Sequence, residues 1–205
     1  MESNTPNGVL RQQALDTLKG QWGLPIGTFL LYGIVVGVIG AIPLAGPLTS
    51  LIITGPFSLG LAIFSLSVSR KTNPQLEQIF QGFNNFTNAL VAYLLMVLYI
   101  LLWSLLLIIP GIIAALSYAM VFFIIADEPN IKPADALRKS KAMMDGNKTK
   151  LFLMILVFML LVIACVFTLF IGFLWLSPFM QVTMAKFYDD IKNNSAPADA
   201  TTISA

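Results

Sequence analysis

The sequence predicts an all-α fold, a polytopic transmembrane helix bundle of six spans arranged as three hairpins, each preceded by a short interfacial amphipathic helix. Three observations lead there. All 12 Lys and Arg and all 10 Asp and Glu lie outside three uncharged blocks, Gly20–Ser69, Gln78–Ala126 and Leu151–Ala185. One membrane span needs about 20 apolar residues, so each block has room for two spans and a turn. The composition is 57% hydrophobic and 11% charged, with a mean hydropathy of +0.82. Soluble domains carry about 25% charge, and a surface this apolar would not stay in water. Finally, a proline opens and a glycine closes the segment before each block, with Gly20, Gly82 and Gly146 at near-regular intervals.

The elements follow in order, as one membrane domain over residues 1–192. Pro6 opens an interfacial helix at about 6–20, with an apolar stripe of Leu10, Ala14, Thr17 and Leu18. The first span covers about 24–43 and contains Gly33 and Gly37 at GxxxG spacing, extended by Gly40. Pro43-Leu44-Ala45-Gly46-Pro47 then turns the chain into a second span, 47–69, kinked at Gly55-Pro56. A second interfacial helix, 74–82, runs from Pro74 to Gly82 with Leu76, Ile79, Phe80 and Phe83 on one stripe. Spans 87–109 and 112–127 flank a turn at Pro110-Gly111. The third interfacial helix, 133–146, runs from Pro133 to Gly146 with Ala136, Leu137, Ser140, Met143 and Met144 aligned. Spans 151–171 and 173–188 meet at Gly172, and Pro178 kinks the last of them. The tail over 193–205 is rich in Ser, Ala, Pro and Thr and reads as disordered.

Proline suits the first helical position and glycine the position just past the end. Amphipathic helices of this kind lie in the membrane plane. Because all three start on the same side, the blocks read as three parallel repeats. All the Lys and Arg residues then fall on one face, which the positive-inside rule places in the cytoplasm with both termini. Trp22 and Tyr188 are expected at the inner interface and Trp175 at the outer one. Lys186 is expected to snorkel. Glu2, Arg11, Asp16 and Lys19 precede the first apolar stretch, so no cleavable signal peptide is expected. Cys165, the single cysteine, reads as a small apolar side chain.

No ionisable residue lies in a span core, and the chain has no histidine. This argues against proton relays and pumps and removes the usual metal-ligand sets and the commonest general base. No catalytic residue, cofactor site or metal site is expected, and a net charge of +2 does not suggest nucleic acid. Thr54, Ser58, Ser104, Ser117 and Gln181 inside the spans are read as members of interhelical hydrogen bonds. Arg138, Lys139, Lys141, Lys148 and Lys150 are the candidate contacts for anionic lipid head groups or a partner protein. Near a membrane surface each is worth about 1 kcal/mol, although topology control asks for the same residues. Gly33 and Gly37 point to helix packing or a homo-oligomer. The kinks at Gly55, Pro56 and Pro178 could frame a site between broken helices. Asp127, Glu128 and Asp145 are the carboxylates that an enzymatic reading would need, with no nucleophile nearby.

The run Ala126-Asp127-Glu128-Pro129, Ala136-Leu137-Arg138-Lys139-Ser140, Met144-Asp145-Gly146-Asn147-Lys148 and Lys150-Leu151-Phe152 resembles a family of uncharacterised bacterial integral membrane proteins. So do Phe173-Leu174-Trp175-Leu176-Ser177-Pro178, Phe187-Tyr188, and the opening Ala14-Leu15 to Lys19-Gly20-Gln21-Trp22. That family is distantly similar to the membrane domain of some glycerophosphoryl diester phosphodiesterases. The resemblance covers most of the chain and is sharpest from about residue 108 to 192. It implies several spans, a bacterial cytoplasmic membrane and no established activity. The phosphodiesterase catalytic domain has no counterpart here, so its reaction does not carry over. The leading expectation is a non-enzymatic accessory or lipid-associating protein acting at the cytoplasmic face, with membrane lipids, another membrane protein or a second copy as partners. The alternatives are a carrier or passive conduit for a lipid or small apolar solute, and an intramembrane enzyme.

Overall fold

The computed structural model describes residues 3, 5–42, 45–168 and 171–195. Pro43 and Leu44 of the first expected turn and residues 196–205 of the expected tail lie outside this set. Every regular element among the described residues is helical: α1 (Asn7–Leu18), α2 (Gly23–Gly40), α3 (Ala45–Arg70), α4 (Gln78–Gln81), a 3₁₀ turn (Gly82–Asn85), α5 (Phe86–Leu106), α6 (Ile108–Ser117), α7 (Val121–Asp127), α8 (Pro133–Met143), α9 (Lys148–Val166) and α10 (Phe173–Ser195). Among the described residues, five helical stretches are long and apolar enough to cross a membrane: Gly23–Gly40, Thr49–Arg70, Gln78–Leu106, Ile108–Asp127 and Lys148–Val166. The chain has the make-up of a membrane protein. α10 has the length but not the composition, because Lys186, Asp189, Asp190 and Lys192 occupy its second half.

Several boundaries differ from those the sequence suggests. Pro110 does not end a helix. It lies in the first turn of α6, where a missing N–H leaves no bond broken. The chain turns instead at the extended Leu107, and Gly111 lets α6 close on α5, since a Cβ there would stand 2.1 Å from the Ser104 hydroxyl. The span expected at 112–127 is two helices, broken between Ser117 and Val121. The interfacial helix expected at 74–82 shrinks to the single turn α4, which passes through the 3₁₀ turn into α5. Gly82 caps the end of α4 but keeps a helical φ, so the chain winds on through the 3₁₀ turn instead of leaving the helix. Gly20 and Gly146, in contrast, have φ of +82° and +79°, the left-handed conformation that favours glycine past a helix end. The last helix continues through Ser195, so the segment expected to be disordered from 193 begins as helix. Tyr188 is fully buried and cannot serve as an interface residue.

Burial separates the long helices into two sets. The apolar stretches of α3 and α6–α7 are 61% and 50% buried, whereas those of α2, α5 and α9 are 11%, 11% and 22%. α10 joins the inner set, with Val182, Ala185, Phe187 and Tyr188 all fully buried. Each outer helix packs against two inner ones: α2 on α3 and α10, α5 on α3 and α6, and α9 on α6 and α10. α1 packs on α10, α4 on α3 and α8 on α7. In lipid, close packing has to replace much of the hydrophobic gain available in water. α3 supplies it by bringing backbones together. A Cβ on Gly60 would stand 1.9 Å from the Ile79 carbonyl oxygen, and one on Gly82 would stand 1.9 Å from that of Pro56. Gly55 meets the Ala89 backbone in the same way. Phe57 completes this corner with edge-on contacts to Tyr32, Phe80 and Phe83.

Candidate functional site

The inner helices do not fill the space between them. A cleft of about 660 Å³ lies among α2, α3, the α6–α7 break, α9 and α10. Its walls are largely apolar, including Phe29, Phe122, Phe158 and Met180, and four polar side chains face it: Tyr32, Ser58, Ser177 and Gln181. Both proline-bearing helices contribute, for Pro56 precedes Ser58 on α3 and Pro178 follows Ser177 on α10. Four other hydroxyls in the long helices bond to their own backbone. Thr28, Thr54, Ser117 and Thr183 each donate to the carbonyl four residues earlier. Tyr32, Ser58, Ser177 and Gln181 have no hydrogen-bond partner among the described residues. The interhelical bonds expected of Thr54, Ser58, Ser104, Ser117 and Gln181 are therefore not formed by their side chains among the described residues.

One end of the bundle carries an ion network that no motif in the sequence announces. Arg70, the last residue of α3, reaches Asp127 at the end of α7 at 2.7 Å and Asp189 of α10 at 2.6 Å. Lys192 adds a second cation to Asp127 at 2.5 Å, and the Tyr188 hydroxyl donates to the same carboxylate at 3.1 Å. Lys186 donates to the Ser69 carbonyl at 2.5 Å rather than reaching out to the interface. All three inner helices thus end in one cluster. The Asp127 side chain is only 8% exposed, and two cations with a phenol satisfy it, as a buried carboxylate requires. Phe123 lines the cleft and stacks on Tyr188 at 5.6 Å. This aromatic pair stands between the cleft and the network. Ser65, seven residues from Ser58 on α3, is a fully buried hydroxyl without a partner among the described residues.

The five basic residues proposed for lipid contact do not form one patch. Arg138 pairs with Asp135 and Lys139 with Glu128. Lys150 is drawn inward, 3.8 Å from Asp190, donating to the Ser3 carbonyl and lying over the Phe187 ring. Lys141 and Lys148 remain together at the mouth of a second, smaller cleft. The carboxylates of the enzymatic reading are likewise apart. Asp127 belongs to the network, Glu128 pairs with Lys139, and Asp145 lies 3.6 Å from Lys148. Gly33 and Gly37 are exposed, with nothing within 4 Å of an added Cβ, so neither seats another helix of this chain. Gly55 packs closely on α5 instead. The signal missed in the sequence was positional: Arg70, Asp127 and Asp189 each stand at or near the charged end of an inner helix.

The chain matches the profile of a family described as "Protein of unknown function (DUF975)" over residues 1–113 and again over 104–195. An uncharacterised family is what the sequence resemblance implies, but no match to a glycerophosphoryl diester phosphodiesterase accompanies it. No curated protein and no solved structure matches the chain.

Proposed function

Because the chain belongs to the DUF975 family of proteins of unknown function, its role rests on its own geometry, and we propose that it is a carrier or conduit that binds an uncharged, largely apolar molecule within the membrane. The cleft between α3 and α10 is the observation that supports this reading. At about 660 Å³ it falls within the usual range of ligand sites, about 300–1,000 Å³. An unpaired hydroxyl or amide in hydrocarbon costs several kcal/mol. Four such groups around one apolar cleft suit a molecule with a hydroxyl, carbonyl or ester to bond and a hydrocarbon body. Among the described residues no charged side chain lines the cleft, which fits a neutral ligand. Both of its inner walls carry a proline inside a continuous helix, where the missing N–H removes one helical hydrogen bond.

The same reading takes α10 as a sixth span and places both termini and the ion network on the cytoplasmic side of a bacterial membrane. The packing supports three hairpins in a ring. Each outer helix sits between two inner ones, α4 packs on the inner helix of the block before it, α8 packs on both α5 and α7, and α1 packs on α10. A non-enzymatic accessory role at the charged face has less support, because Arg138, Lys139 and Lys150 are engaged within the chain. Solvent extraction of protein purified in mild detergent, followed by mass spectrometry, tests the proposal. The wild type is expected to release a neutral amphiphile in stoichiometric amount, and Ser177→Trp, which fills the cleft, to release none. Equal yields from both proteins would overturn it.

A further inference from the structure

We propose that the smaller cleft beside α8 is a binding site for one anionic phospholipid, with its phosphate held by Lys141, Lys148 and Tyr118. The site arises from the break in the fourth apolar stretch. Where α6 stops at Ser117, α8 comes in to fill the gap: the Ser140 hydroxyl donates to the Ser117 carbonyl at 2.8 Å and accepts the Met120 N–H at 3.2 Å. This contact carries the adjacent Lys141 to the level of the break, roughly halfway along the Ile108–Asp127 stretch. There it borders a cleft of about 220 Å³ together with Trp103, Pro110, Ile113, Tyr118 and Lys148.

The charges in this cleft are only weakly balanced by the chain. Lys141 has no ion pair among the described residues. Lys148 has only Asp145, at 3.6 Å and 85% exposed, and such a surface pair is worth about 0–1 kcal/mol. Tyr118 points the same way. It is nine-tenths buried, lines the cleft and tilts against Tyr99, yet no described residue takes a hydrogen bond from its hydroxyl. Two cations and a phenol donor bordering one cleft suit a phosphate diester. The other walls, Trp103, Pro110 and Ile113, are apolar, and Trp103 and Ile113 are about half exposed. They offer an acyl chain an apolar track. Free phosphate would find no use for that track, which is why the occupant is assigned as a lipid.

Native mass spectrometry of the full chain, titrated with phosphatidylglycerol, phosphatidylcholine or inorganic phosphate, is the test. One phosphatidylglycerol should be retained in preference to phosphatidylcholine, because a choline cation would face both lysines. At about 1 kcal/mol per basic residue, Lys141→Ala with Lys148→Ala should weaken retention about thirtyfold. Loss of one hydrogen bond in Tyr118→Phe should weaken it about fivefold. Arg138→Ala, which removes a charge from the same helix that is paired with Asp135 and does not border the cleft, should leave it unchanged. Ile113→Trp narrows the acyl track without altering charge and should also reduce retention. If Arg138→Ala weakens binding as much as the double variant, or if phosphate competes as well as lipid, the site does not exist as described.

Discussion

Gly82 and Gly37 carry the same side chain and opposite constraints. At Gly82 a methyl group would stand 1.9 Å from the Pro56 carbonyl oxygen and 2.7 Å from the Gly60 nitrogen, both backbone atoms that cannot step aside. Gly82→Ala is therefore expected to cost 3 kcal/mol or more, at the upper end of about 1–3 kcal/mol for overpacking, or to prevent folding. At Gly37 nothing lies within 4 Å, and alanine is the better helix former by about 1 kcal/mol. Gly37→Ala should leave the unfolding midpoint unchanged or raise it. Thermal unfolding of both variants in one detergent checks the contrast, and a comparable loss at both positions would refute it. In sequence the two were read the other way, with Gly82 as a helix terminator and Gly37 as a packing residue. Spacing reveals that a glycine is present but not what lies opposite it.

At the scale of an element, α8 shows how a helix predicted to lie on the membrane becomes part of the bundle. Its stripe of Ala136, Leu137, Ser140 and Met143 is buried, as the pattern implies. The serine in that stripe does more than match small volume. It supplies partners for the Ser117 carbonyl and the Met120 N–H, both freed by the break between α6 and α7. Ser140→Ala would leave the buried Met120 N–H unpaired, at about 1–3 kcal/mol. Chemical denaturation should show a loss of that size for Ser140→Ala. A change below about 0.5 kcal/mol, within the range of ordinary surface substitutions, would mean that water or a backbone shift replaces the bond. The break itself is hidden in sequence because Tyr118-Ala119-Met120 contains neither proline nor glycine. α4 is the converse case. Its markers Pro74 and Gly82 are clear, yet close packing on α3 leaves it one turn long.

For the whole molecule, the number of crossings decides where each terminus lies. In a Cys165→Ser background, single cysteines at Thr72, Asn130 and Asn193 are expected to react with a membrane-impermeant maleimide from the same side, and one at Leu106 from the opposite side. If α10 does not cross, Asn193 will react with Leu106 instead, and the six-span reading fails. The sequence alone determined the all-helical membrane class, the position of most long helices and the gathering of charge at segment ends. These depend on hydropathy and length, which are local sums along the chain. Only the tertiary structure decided that Arg70, Asp127 and Asp189 meet, that Tyr32, Ser58, Ser177 and Gln181 share one cleft without hydrogen-bond partners among the described residues, and that Lys141 and Lys148 border one cleft while Arg138, Lys139 and Lys150 are engaged elsewhere. Contacts between residues tens of positions apart depend on which faces of different helices meet. No periodicity within a single helix encodes that choice.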